Sequence, residues 1–104
     1  MGRFDGRVAL ITGAARGIGA ASARQLASEG AAVVITDMDA GPAEEVAQDV
    51  RSSGGKAVAV ACDVSSREQV FAAVDRGVAE FGRLDIMVSN AGITRDNMLY
   101  KMTD

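Results

Sequence analysis

Apolar residues gather in four short runs along the chain: Arg7 to Thr12, Ala32 to Asp37, Lys56 to Cys62 and Leu84 to Ser89. The runs are apolar at consecutive rather than alternate positions and rich in β-branched residues or alanine, which predicts strands buried on both faces. Their first residues lie 25, 24 and 28 positions apart. Each of the first three is followed by a segment with apolar residues at three- and four-residue intervals, so the pattern is a strand-helix repeat. Units of this length favour parallel strands joined by right-handed crossovers. The expected fold class is therefore α/β, a doubly wound parallel sheet of about four strands and three helices.

The helices have their own punctuation. The first is expected from Gly17 to about Glu29, with Ile18, Ala21 and Leu26 inward and Gly30 in the left-handed position after its end. In the second, Pro42 suits the first turn, and Ala43, Val46, Ala47 and Val50 share one face before Gly54 and Gly55 stop it. The third opens on Ser65-Ser66-Arg67-Glu68-Gln69, read as a capping box between Ser65 and Glu68. Behind it Val70, Phe71, Val74, Val78 and Phe81 form a stripe that ends at Gly82. Gly77 interrupts that helix at a cost of about 1 kcal/mol relative to alanine.

Composition narrows the function. A chain of 104 residues, 48% hydrophobic and 24% charged, is at most one soluble domain. Its longest apolar runs fall far short of the ~18 residues of a membrane span, and Val8 to Thr12 is too short for the core of a signal peptide, so a cytoplasmic location is expected. With Cys62 as the single cysteine and no histidine, disulfide frameworks and Cys/His metal sites are excluded, and Cys62 reads as a small buried apolar residue. The net charge of −3 is spread in both signs along the chain, with no basic stripe for nucleic acid. A phosphate-bearing ligand must find local donors instead.

Such donors are to be sought past the carboxyl ends of the strands, where open α/β sheets bind their ligands. Those ends are Thr12-Gly13, Thr36-Asp37, Cys62-Asp63-Val64 and Ser89-Asn90-Ala91-Gly92. After the first strand comes Gly13-x-x-x-Gly17-x-Gly19, with a helix beyond it. Glycines at such a turn let backbone amides approach a pyrophosphate at a helix N-terminus, where the dipole favours negative charge. The spacing differs from G-x-G-x-x-G, since a frame begun at Gly17 meets Ser22 in the third glycine position. Asp37 lies 20 residues beyond Gly17, at the end of the second strand, where a carboxylate accepts both hydroxyls of an adenosine ribose and repels a 2′-phosphate. The alternative is a tight strand-to-helix turn with Asp37 capping a loop.

The segments TGAARGIG (Thr12 to Gly19), CDV (Cys62 to Val64) and SNAG (Ser89 to Gly92), in this order and spacing, resemble the N-terminal half of the short-chain dehydrogenase/reductase family across essentially the whole chain. The resemblance implies a Rossmann-like fold, with residues 1–104 a partial dinucleotide-binding domain truncated at its C-terminal end. It implies that Gly13, Gly17 and Gly19 shape the pyrophosphate turn, with Ile18 at the start of the helix. Asp37 would hold the adenosine ribose, Asp63 and Val64 would contact adenine, and Asn90, Ala91 and Gly92 would border the nicotinamide-side ribose. Ser89 departs from the family's more frequent asparagine. Asn90 to Met102 is similar, more narrowly, to the same segment of β-ketoacyl-acyl-carrier-protein reductases, which reduce 3-oxoacyl thioesters, usually with NADPH. Arg16 can be read as a partner of a 2′-phosphate, a neighbour of the pyrophosphate or a solvated side chain. Asp37 opposes the extra phosphate directly, so NAD is favoured and NADP remains the alternative. Arg95 and Asp96 read either as a substrate-side or interface loop or as a solvated turn.

The family's proton-transfer residues are a serine and a Tyr-x-x-x-Lys pair on one helix face. The sole tyrosine, Tyr100, is followed at once by Lys101, and neighbouring residues of a helix point to different faces, so no catalytic residue is assigned. Thr103 and Asp104 resemble the cap of a further helix. Two functions stay open: the cofactor half of an oxidoreductase acting on a small-molecule or acyl-thioester substrate, or a free-standing dinucleotide-binding module. Under the first, the full-length parent is expected to be a homo-oligomer, dimer or tetramer, with no nucleic acid or membrane partner. Taken alone, the chain is expected to be inactive, with Ile86 and Val88 close to an unpaired sheet edge.

Overall fold

The computed structural model describes residues 4–13, 17–63, 65–88 and 99–101 of the chain. Among them the elements follow in the order β1 (Val8–Ile11), α1 (Gly17–Ser28), β2 (Ala32–Asp37), α2 (Ala40–Ser52), β3 (Lys56–Ala61), α3 (Arg67–Phe81), β4 (Ile86–Val88) and β5 (Leu99–Lys101). They build one sheet of order β3-β2-β1-β4-β5. The first four strands are parallel, as the apolar runs require, with Val8 opposite Ala32, Ala9 opposite Ile86 and Ala32 opposite Lys56.

The strand order reverses beside β1, and right-handed crossovers then place helices on opposite faces. On one face α1 and α2 cover Ala9, Ile11, Val33 and Ile35 with Ala20, Ala23, Val46 and Val50. On the other, α3 covers Val8, Leu10 and Val34 through Ala73, with Cys62 buried beside them. Leu10, Ile11, Val33, Val34 and Ile35 are almost wholly removed from solvent. Each such side chain contributes about 1.5–3 kcal/mol, which explains why consecutive positions are apolar.

β5 is a feature the sequence patterning did not announce. It runs antiparallel to β4, with Met87 opposite Tyr100. The expectation of an unpaired edge at Ile86 and Val88 is thereby corrected: β4 is paired on both sides, to β1 and to β5. Tyr100 and Lys101 lie in this strand rather than in a helix. Thr103 and Asp104, expected to open a helix, lie outside the described residues.

The helices correct three further expectations. In α2 the buried face is Ala43, Val46, Ala47 and Val50, as their spacing predicts. In α1, however, Ile18 is 72% exposed and Ala21 also faces outward, while Ala20 and Ala23 meet the sheet and Leu26 is half-buried. In α3, Phe71 and Val78 are 61% and 42% exposed, and Ala73 and Gly77 face inward. The reason is closeness of approach: a Cβ on Gly77 would stand 2.8 Å from Cγ2 of Val34, so only a hydrogen fits between helix and sheet. The cap of α3 also sits one residue later than predicted. Ser66, not Ser65, accepts the amide proton of Gln69, at 3.3 Å, because Ser65 is engaged with Asp63.

Candidate functional site

The carboxyl ends of β1, β2 and β3 come together on one edge of the sheet. At the end of β1, Thr12 is buried, and its amide donates to the Val88 carbonyl at 2.9 Å, lacing β1 to β4. Its hydroxyl points to the same carbonyl at 3.4 Å. Gly13 follows with φ of 61° and Gly17 opens α1 with φ of 60°, a left-handed backbone that side chains rarely adopt. Among the described residues beyond its neighbours and its own helix, none comes within 4 Å of a Cβ built on Gly17. The first amides of α1, from Gly17 to Gly19, precede the first intrahelical acceptor and lie at the positive end of the helix dipole. No acidic side chain occupies that turn. Gly19 is buried against the sheet and Ile18 stands at the rim.

Asp37 ends β2. Side chains alternate along a strand, so Asp37 shares the face of Val33 and Ile35, the face that carries α1. Hydrogen bonds at and beside it hold it in place. Its carbonyl accepts the Cys62 amide at 2.8 Å, its Oδ1 accepts the Asp39 amide at 3.1 Å, and the preceding Thr36 hydroxyl donates to the Ile11 carbonyl at 2.9 Å. Thr36 has no exposed surface. Met38, next in the chain, is 70% exposed.

At the end of β3, burial pushes the Cys62 thiol up from its ordinary value and the neighbouring Asp63 charge adds to the effect, so the sulfur is kept as a neutral apolar group. Asp63 is shifted the other way. The Ser65 hydroxyl and amide both donate to its Oδ1, at 2.7 and 2.9 Å, and hold the carboxyl below its usual range. Its own amide donates to Oε1 of Gln69 at 2.8 Å, tying the strand end to α3.

The structure thus brings Gly13, Gly17, Ile18, Gly19 and Asp37 to one edge and face, with Asp63 on the same edge. Arg16, Val64, Asn90, Ala91 and Gly92 lie outside the described residues, as do Ser89, Arg95 and Asp96. Patterning gave Thr36 no role, since its β-branched side chain looks like any strand residue.

A parallel sheet whose order reverses beside β1, with a glycine turn above the reversal, is the architecture of doubly wound α/β proteins. The chain belongs to the short chain dehydrogenase family, whose sequence model matches residues 7–104. It is 54% identical over 90 residues to cis-4-hydroxycyclohexanecarboxylate dehydrogenase of Sinomonas cyclohexanicum, a match covering 86% of this chain and 36% of that protein. It is 44% identical over 101 residues to the 3-oxoacyl-acyl-carrier-protein reductase of Pseudomonas aeruginosa, covering 97% and 41% respectively. The crystal structure of a metagenomic short-chain oxidoreductase in complex with NADP superposes with a TM-score of 0.80 at 43% identity, covering 86% of this chain and 41% of that one. The chain therefore spans about two fifths of the length of these relatives.

Proposed function

We propose that residues 1–104 form part of the dinucleotide-binding domain of a short-chain oxidoreductase and hold the adenosine and pyrophosphate portions of NAD(H). The observation that carries this reading is the placement of the Asp37 carboxylate on the face of α1, beside a glycine turn at that helix's N-terminus. The turn amides would meet the pyrophosphate, Asp37 the ribose hydroxyls, and Met38 and Asp63 the adenine side. Arg16, Val64, Asn90, Ala91 and Gly92 complete the proposed set from the family pattern.

The bound nicotinamide would supply the hydride; the chain's own residues position it. In the longer protein the substrate would be a carbonyl or alcohol, with a 3-oxoacyl thioester one candidate, since relatives of similar identity bear different substrate names. That protein would act in the cytoplasm as a homo-oligomer. No observation favours the reading as a module without a reaction of its own.

The experiment is calorimetric titration of the chain with NADH and NADPH, repeated on Asp37→Ser. NADH should bind the native chain more tightly, and the serine variant should lose about tenfold for NADH while gaining for NADPH. An unchanged ratio of the two affinities refutes the role given to Asp37. No binding of either cofactor, by a folded chain, refutes the dinucleotide reading itself.

A further inference from the structure

Asp37 ends a strand that must stop at a fixed place for its carboxylate to be useful. On the β3 side, the backbone is held there by the Cys62 amide donating to the Asp37 carbonyl at 2.8 Å. On the β1 side, the register with β2 ends at Ile11 opposite Ile35, one residue before Thr36. Beyond that point the Thr12 amide turns to β4, donating to the Val88 carbonyl at 2.9 Å. At this last register pair a side chain adds to the backbone ladder. Oγ1 of Thr36 donates to the Ile11 carbonyl at 2.9 Å.

We infer that Thr36 is a positioning residue for cofactor choice: its hydroxyl ties the end of β2 to the end of β1 and so sets where the Asp37 carboxylate stands relative to the Gly13–Gly17 turn. The inference rests on the proposed dinucleotide site. Position 36 has no exposed surface and follows Ala32, Val33, Val34 and Ile35, so valine would satisfy its packing and its strand propensity equally well. A buried hydroxyl is tolerated only where it finds an acceptor, and this one finds it on the strand that carries the turn. Side-chain alternation places Thr36 on the α3 face and Asp37 on the α1 face. Thr36 therefore touches no part of the crevice and acts through the backbone alone. Two hydroxyls of one ribose tolerate little displacement of the carboxylate that accepts them, about half an ångström in a well-placed site.

The test compares Thr36→Val, which keeps the shape and removes the donor, with Thr36→Ser, which keeps the donor and removes the methyl group. NADH and NADPH affinities are measured by calorimetry, and stability by urea unfolding. The valine variant should fold and lose about fivefold in NADH affinity, the worth of one spoiled hydrogen bond, with NADPH affinity unchanged. The serine variant should keep the native ratio of affinities even where the lost methyl lowers its stability. Equal loss for both cofactors, an unchanged ratio in the valine variant, or a shifted ratio in the serine variant overturns the inference. A valine variant that does not fold also overturns it, because the hydroxyl would then hold the sheet rather than place Asp37. Failure of the native chain to bind NADH refutes the underlying dinucleotide reading and is seen before any variant is made.

Discussion

Oδ2 of Asp85 accepts the backbone amide proton of Val8 at 2.9 Å, joining residues 77 positions apart at the amino ends of β1 and β4. The other carboxylate oxygen takes Arg83 at 2.6 Å, and Arg7 approaches it at 3.8 Å. Burial alone would push this carboxyl up, but the Arg83 and Val8 hydrogen bonds and the charges of Arg83 and Arg7 outweigh it and hold the group below its ordinary value. A carboxyl lowered in the folded state stabilises above the range in which the unfolded group titrates. That contribution is lost as pH falls through the folded value.

Asp85→Ala should therefore cost about 1–3 kcal/mol at neutral pH, since it leaves the Val8 amide buried without its acceptor. Asp85→Asn can still accept that proton and should lose less. In urea unfolding, the gap between native chain and asparagine variant should be constant from pH 8 down to about pH 5 and close in stronger acid. A gap that persists in strong acid would show that the carboxylate charge plays no part.

Gly77→Ala should destabilise the chain although alanine is the better helix former by about 1 kcal/mol. The added methyl would stand 2.8 Å from Cγ2 of Val34, a wholly buried β-branched side chain with no rotamer freedom to yield. Overpacking of this kind costs about 1–3 kcal/mol, so a net loss of about 1 kcal/mol is expected. The same change made with Val34→Ala should cost less than the sum of the two single losses, which a double-mutant cycle by urea unfolding would measure. A stabilised single variant would mean that α3 moves off the sheet freely.

Gly77 also shows where sequence reading reaches its limit. The four parallel strands and the buried face of α2 were legible because large apolar residues mark them, as Val33, Val34, Ile35, Val46 and Val50 do. In α1 and α3 the same rule finds Leu26, Val70, Val74 and Phe81, which pack partly buried against the core. It also selects Ile18, Phe71 and Val78, which are exposed, and misses Ala20, Ala23, Ala73 and Gly77, which are buried. Helices that lie close against a sheet bury their smallest residues, and a hydrophobicity pattern ranks those last. β5 escaped for a different reason: three residues carry no period, and its pairing with β4 is a tertiary fact. Of the candidate positions, Gly13 and Asp37 were readable because they stand at strand ends, and Gly17 and Gly19 because they stand where a helix opens. The hydroxyl of Thr36 was not, since its acceptor lies 25 residues away.

Phe71 and Val78 stand seven positions apart on α3 and share an outward face, 61% and 42% exposed. Exposed apolar surface on one side of a helix favours association. The chain alone should show concentration-dependent mass in light scattering, and replacing both residues by serine should reduce it with little change in the unfolding midpoint. Equal association of the variant would move the sticky surface elsewhere.

Gly17 and Gly54 share one property and differ in another, which makes them a matched pair. Both have positive φ, 60° and 95°, and a Cβ on either meets none of the described residues beyond its neighbours, so a side chain at either position costs backbone strain without a clash among them. Valine at each should cost about 1–3 kcal/mol of stability. Gly54 lies in the turn between α2 and β3, at the amino end of the sheet, whereas Gly17 opens α1 at the carboxyl end beside Asp37. If the Gly17 turn receives a pyrophosphate, Gly17→Val should lower NADH affinity more than tenfold by filling the space the phosphates need, while Gly54→Val leaves it unchanged. Thermal melting and calorimetric titration of the two variants separate strain from obstruction. Similar losses of affinity in both would trace the effect to general loosening of the fold, and undiminished affinity in Gly17→Val would remove this turn from the binding site.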